Sequence, residues 1–255
     1  MTTSAITETD SDRAPDRHRD VVRRLAAAQK SSKGAPAYSR FVNRPFGRHL
    51  AAIAFRLEMT PNAVTAVSAL FTFAAIALIA TVHPSLIVGA AVAVLLVVGY
   101  ALDAADGQLA RLRGGGSVSG EWLDHVVDAT KIPCLHLAVL VGLYRFSEFR
   151  GTGWLLVPIG LTVVATVSFF AMILNDQLRR QSAGATGGLM ERGVTSGLRS
   201  LLVLPTDYGL LCVVFLAWGY PSMFVLIYSV IAACSTLYLA AGAVKWFREM
   251  SRLAT

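Results

Sequence analysis

Apolar residues in this chain run in long blocks, broken by short polar links and preceded by an arginine-rich segment. Six blocks have the length a bilayer crossing needs, about 17–25 residues. They run from Pro61 to Val82, Ser85 to about Arg111, Gly120 to about Arg145, Trp154 to about Leu178, Leu201 to Trp218 and Pro221 to about Trp246. Pro61 suits a first helical turn, where the missing N–H has no partner to lose. The fifth block is interrupted near its start by Pro205, Thr206 and Asp207. Ahead of the first block, Phe46, Leu50, Ile53, Ala54 and Leu57 share one helical face, with Arg48 and Arg56 elsewhere. That spacing predicts a helix in the membrane interface, and it equally suits a helix packed on the domain's own cytoplasmic side. The expected fold is all-α: a polytopic membrane helical bundle of six transmembrane helices with an N-terminal cytoplasmic amphipathic interfacial helix.

Composition agrees with the pattern. The 255 residues are 55% hydrophobic and 15% charged, where a soluble domain carries about 25% charged residues. The net charge of +7 is the positive-inside bias of a membrane protein and its attraction to anionic lipid headgroups, so nucleic acid is not an expected partner. Cys134, Cys212 and Cys234 lie in apolar blocks without a CxxC pair and read as packing residues. Residues 1–36 have no apolar signal region and read as a disordered, basic cytoplasmic tail. Within it, Arg17 to Lys30 reads either as a short basic helix on the membrane surface or as solvated tail. Residues 37–255 form the membrane domain.

Orientation follows from Lys and Arg. The segment before Pro61, the link between the second and third crossings, the link between the fourth and fifth, and the C-terminal tail hold nearly all of them. Only Arg145 and Arg150 lie in links on the other side. Both termini are expected in the cytoplasm, as is the polar end of the second crossing.

That polar end carries the chemistry. It reads Asp103-Ala-Ala-Asp106-Gly107-Gln-Leu-Ala110-Arg111, then eight residues, then Gly120-Glu-Trp-Leu-Asp124-His-Val-Val-Asp128. A charge at the centre of a membrane helix costs about 2.5–3.5 kcal/mol on insertion scales, so four carboxylates at a membrane border call for a counter-charge. Asp103 and Asp106 are three apart and Asp124 and Asp128 four apart, so each pair shares a helical face. Gly114-Gly115-Gly116 permits a tight link that brings the two pairs together. Oxygen-only ligands select hard cations, and two such ions clamp a phosphoryl transfer. Gly107, Ala110 and Gly120 leave room for a substrate, or serve close helix packing. Arg111 suits phosphate oxygens, or an interface anchor.

The pattern Asp-x2-Asp-Gly-x2-Ala-Arg-x8-Gly-x3-Asp-x3-Asp resembles the signature of the CDP-alcohol phosphotransferases (CDP-alcohol phosphatidyltransferases) at every defined position. The resemblance implies transfer of a substituted phosphate from a CDP-alcohol to a second alcohol with release of CMP, in phospholipid biosynthesis. It implies two divalent cations, Mg²⁺ or Mn²⁺, held by Asp103, Asp106, Asp124 and Asp128, with Asp128 also the general base. It places Gly107, Ala110, Arg111, Ser117 and Gly120 at the CDP part. Thr60-Pro61-Asn62-Ala63-Val64-Thr65 also resembles a family element, which puts Asn62 and Thr65 near the nucleotide; the same residues read as an ordinary helix start. Related enzymes are commonly homodimers, and the small-residue segments Ala74 to Ala80 and Ala240 to Ala243 suit close contact between copies or within one chain.

The signature does not name the acceptor. Lys131 lies one turn past Asp128, and Arg179, Arg180, Arg192 and Arg199 flank the same side. Together they suit an anionic polyol, inositol phosphate or glycerol phosphate, while each alone also reads as flanking charge. CDP-diacylglycerol is the expected donor. The stretch Lys33 to Arg44 is similar to a branch of the family that uses soluble CDP-polyols, which keeps that donor as an alternative. His125 and His136 read as packing or interface residues. An ion-coupled transporter, the reading from a different class, would spread its acids along the crossings; here they cluster at one end.

Overall fold

The computed structural model describes residues 18–27, 37–186 and 207–253. Its helices are α1 (His18–Ala27), α2 (Arg44–Arg56), α3 (Pro61–Thr81), α4 (Leu86–Leu112), α5 (Val118–Phe146), α6 (Leu156–Thr186), α7 (Tyr208–Val214) and α8 (Pro221–Leu253). No strand occurs among the described residues. The caps are those the sequence encodes: Thr60 Oγ1 accepts the Ala63 N–H at 3.2 Å, Ser85 Oγ accepts Val88 N–H at 3.2 Å and Ser117 Oγ accepts Gly120 N–H at 3.0 Å.

Among the described residues, five helices are long and apolar enough to cross a membrane: α3, α4, α5, Gly153–Ser182 and Pro221–Arg252. The expected crossing from Leu201 to Trp218 lies partly outside the described residues. Its described part is the shorter apolar helix Tyr208–Ala217, which starts directly after Asp207. The interruption read in the sequence is therefore a helix start: Asp207 Oδ1 accepts the Gly209 N–H at 3.1 Å.

The expected interfacial helix is α2. Phe46, Ile53 and Leu57 are 42%, 48% and 66% exposed, while Gly47, Ala51 and Ala54 are buried. Ala54, grouped by periodicity with the outward residues, turns inward because the apolar stripe is wide enough to straddle the packing boundary. Within the expected tail, α1 is folded onto the domain. Val21 and Leu25, four residues apart, are fully buried against Ala51, Ala52, Ala105 and Leu109. Two cations frame the Phe55 ring beside this contact, Arg24 at 5.7 Å and Arg113 at 6.0 Å from its centroid.

The main core lies away from the acidic motif, around Trp218, Phe215, Phe224 and Tyr228. Trp218 meets Phe224 edge to face at 4.8 Å, and Phe224 stacks on Tyr228 at 5.3 Å. His136 is buried there and lies 2.7 Å from the Tyr228 hydroxyl, which agrees with a packing role.

Between α3 and α4, small and hydroxyl residues allow close approach. Ser68 Oγ donates to the Gly99 carbonyl at 2.8 Å, and a Cβ on Gly99 would stand 2.5 Å from Thr72 Oγ1. We expect Gly99→Ala to force α3 and α4 apart, at the cost of overpacking, about 1–3 kcal/mol. Gly160→Ala, which meets nothing within 4 Å, serves as control. Thermal unfolding in detergent checks this: the midpoint falls for Gly99→Ala and stays for Gly160→Ala.

Candidate active site

The site is built where α4 ends and α5 begins. α4 stops in a Schellman turn: the Gly115 N–H donates to the Ala110 carbonyl at 2.9 Å and the Gly114 N–H to the Arg111 carbonyl at 3.2 Å. Gly114 and Gly115 take φ of +95° and +132°, which L side chains rarely adopt. The chain reverses within a few residues, and Ser117 caps α5 at once. The last turns of α4 therefore lie beside the first turns of α5.

This hairpin brings Asp103, Asp124 and Asp128 together. One carboxylate oxygen from each lies within 4.8 Å of the other two. Among the described residues this is the one group of three or more potential metal ligands so arranged. Its all-oxygen donor set suits a hard divalent cation. Asp106 stands apart. It is 7% exposed and accepts a 2.6 Å hydrogen bond from Thr65 Oγ1, which also lies 3.1 Å from the Pro61 carbonyl. The separation has a geometric cause. Three residues are about 300° of helical rotation, so Asp103 and Asp106 differ by about 60°; one turns to α5, the other to α3. Thr65, expected at the nucleotide, is placed behind Asp106 as its hydrogen-bond donor.

The counter-charge inside the site is a lysine. Lys131 Nζ lies 2.6 Å from Asp103 Oδ1 and 2.6 Å from Asp128 Oδ1, with its side chain 8% exposed. It was expected at the acceptor; the structure places it between two of the acids. One turn past Asp128 on α5, its side chain leans back toward the helix N-terminus and so reaches them.

The expected CDP contacts fall into two groups. Asn62, Ser117 and Gly120 converge: a Cβ on Gly120 would meet Asn62 Oδ1 at 3.0 Å and Ser117 Oγ at 3.1 Å. Gly107 lies beside the guanidinium of Arg111, whose Nη1 would stand 3.4 Å from a Cβ there. Arg111 Nε is buried without a hydrogen-bond partner, as suits a group kept for a phosphate oxygen. Ala110 is half-buried and contributes the carbonyl that ends α4.

The arginines expected at the acceptor are paired. Arg179 grips Glu249 on α8 with two bonds of 2.9 and 3.0 Å and lies 3.4 Å from Asp176. Arg180 reaches across to Glu121 on α5 at 3.0 Å. Arg192 and Arg199 lie outside the described residues. His125 turns to Glu121, 3.9 Å away, and to the Phe169 ring, and is not part of the three-aspartate group.

Asp207, which the sequence shows only as an interruption of the fifth block, makes a long-range contact. Asp207 Oδ2 accepts N–H groups from Tyr38 at 3.0 Å and Ser39 at 3.3 Å, tying the segment before α2 to the start of α7. Burial first, then Cys212 and Asp207, push the Tyr38 phenol above its usual range. Tyr38 stacks on Tyr100, which meets Tyr208 edge to face at 5.1 Å. The Asp-Tyr-Gly sequence carried the cap signal, but nothing local points to a partner so distant in sequence.

A family model described as CDP-alcohol phosphatidyltransferase matches residues 58–244. No curated protein sequence matches the chain significantly. Similar solved structures include Mycobacterium tuberculosis phosphatidylinositol phosphate synthase (PgsA1) with CDP-DAG bound, at 21% identity and a TM-score of 0.45, covering 78% of this chain and 90% of that one. The same enzyme in complex with manganese and citrate gives 22% identity and a TM-score of 0.46, covering 78% of this chain and 87% of that one.

Thr65→Val keeps the shape of the side chain but takes the hydrogen bond from a buried carboxyl. We expect a loss of about 1–3 kcal/mol, read as a lower thermal midpoint in chelator-treated protein. Thr65→Ser, which keeps the donor, should recover most of it.

Proposed function

The chain belongs to the CDP-alcohol phosphatidyltransferase family, and on that premise we propose that it moves a phosphatidyl group from CDP-diacylglycerol to the hydroxyl of an anionic polyol, inositol phosphate or glycerol phosphate, releasing CMP. Membership identifies a phosphatidyltransferase-type enzyme and removes the transporter reading. The observation that carries the finer reading is the group of Asp103, Asp124 and Asp128 inside the complete signature.

These three, with Asp106 one turn along α4, are the residues that would hold divalent cations. Bound there, Mg²⁺ or Mn²⁺ would offset the charge that develops on the transferring phosphate. The rest falls to the chain's own side chains. Arg111, with its unpartnered Nε, grips diphosphate oxygens. Asn62, Ser117 and Gly120 line the approach of the nucleotide. Asp128 takes the proton of the acceptor hydroxyl. The freed oxygen attacks the phosphorus that bears the diacylglycerol, the bond from that phosphorus to the oxygen bridging to CMP breaks, and CMP leaves with the electron pair.

A lipid donor is supported by an apolar groove of about 460 Å³ between α5 and α6. It starts at Glu121 and Trp122, one turn from Asp124, and continues past Val126, Phe169 and Phe170. An acyl chain fits such a wall, whereas a CDP-polyol has no use for it. An anionic acceptor is supported by Arg179 and Arg180, whose side chains are 34% and 59% exposed, so that a phosphate can compete for their solvent-screened carboxylate partners. The lysine and arginine bias supports a cytoplasmic site and cytoplasmic termini. A homodimer is supported by the small-residue segment Ala240 to Ala243 on α8, where Ala240, Ala241 and Ala243 are exposed and allow close helix approach.

The purified chain with Mg²⁺ or Mn²⁺ should release CMP from CDP-diacylglycerol when a matching acceptor is present, and chelator should stop it. Asp128→Asn should lose at least about 100-fold in turnover while still binding CDP-diacylglycerol. Unchanged turnover in that variant rules out the base assignment. A panel of inositol phosphate, glycerol phosphate, inositol and serine, read by product mass, tests the acceptor; reaction with uncharged acceptors alone defeats the anionic reading. Turnover of soluble CDP-polyols in place of the lipid donor would defeat the lipid reading.

A further inference from the structure

Lys131 is a buried cation inside an acidic site, and neither the family signature nor the mechanism above gives it a task. It sits one turn deeper along α5 than Asp128, in a helix long and apolar enough to span a membrane. A lysine there is tolerated only when paired, and Lys131 is paired twice, at 2.6 Å from oxygens of Asp103 and Asp128. Those two acids belong to the three-carboxylate group. Three half-buried carboxylates within 4.8 Å of one another repel, the more so as the site is only partly open to water. A single fixed positive charge touching two of them offsets much of that repulsion.

The same contact sets Lys131 against a divalent cation. Both draw on Asp103 and Asp128, and both are positive. We propose that Lys131 is a resident counter-cation of the metal site: it keeps the aspartates assembled without metal and, by competing for two of them, weakens metal binding. The inference rests on the metal-site reading above. It also removes Lys131 from the acceptor site, since both ion pairs would have to break before its ammonium met an acceptor phosphate. Acceptor recognition then rests on the arginines.

The competing possibility is a lysine that merely holds the fold, and metal affinity separates the two. Mn²⁺ binding to the full chain in lipid nanodiscs, followed by electron paramagnetic resonance, gives the comparison. Lys131→Met should bind Mn²⁺ about tenfold more tightly or better, because a nearby positive charge is gone. Its thermal midpoint in chelator should fall below that of the unaltered chain, and Mn²⁺ should raise it by more. Lys131→Arg, which keeps the charge, should bind Mn²⁺ with near-original affinity. If Lys131→Met fails to fold, Lys131→Gln carries the same expectation, since it keeps a hydrogen-bond donor without the charge. Equal or weaker Mn²⁺ binding by a folded, uncharged variant overturns the proposal and leaves the metal reading standing. No Mn²⁺ binding by the unaltered chain overturns the metal reading, and this inference with it.

Discussion

The structure depends on one electrostatic constraint: carboxylates placed at the end of membrane-spanning helices must be neutralised where they stand. Insertion scales put a charge at a helix centre at about 2.5–3.5 kcal/mol, and a cluster adds its own repulsion. The chain itself answers for three of the four acids. Thr65 donates to Asp106 from α3. Lys131 sits between Asp103 and Asp128. Asp124 completes the three-oxygen group that suits a divalent ion. The local architecture follows from these needs: a glycine turn to reverse the chain, a serine cap to restart it, and close packing of α3 on α4 so that Thr65 can reach Asp106.

Apolar packing and ion pairs order the parts further out. α2 lies along one flank with Phe46, Ile53 and Leu57 exposed, and α1 buries Val21 and Leu25 against α2 and α4. Ion pairs link the helix ends on the motif side, Arg179 to Glu249 and Arg180 to Glu121. The aromatic core around Trp218 holds the rest of the bundle. The larger core thus lies away from the chemistry, while a smaller one, with Ala105 and Leu109, backs the acidic motif.

Much of this was legible in the sequence. Apolar block length marks the long helices, because backbone hydrogen bonding in lipid leaves little choice of structure. The spacing of the four aspartates, with Gly107, Arg111 and Gly120 between them, points to the reaction class. Periodicity names a face but not the neighbour that face meets. Asp103 and Asp106 read as one pair, yet a 60° offset, by about 300° of helix for three residues, sends them to different helices. Lys131, Arg179 and Arg180 read as a basic cluster open to an anion; Asp128 and Asp176 pair with two of them from one turn away, but Asp103, Glu249 and Glu121 reach them from other helices. Asp207 reads as an interruption, because its hydrogen bonds to the backbone at Tyr38 and Ser39 cross most of the chain.

The central claim is that Asp103, Asp124 and Asp128 form a divalent-metal centre in an enzyme of CDP-alcohol chemistry. Anomalous diffraction from crystals grown with Mn²⁺ tests it most directly. The account predicts a strong anomalous peak about 2.0–2.6 Å from carboxylate oxygens of all three aspartates, the range for hard cations on oxygen, with the Lys131 ammonium drawn back from Asp103 and Asp128. Mn²⁺ bound only elsewhere, with Lys131 still seated between those two acids, would contradict it.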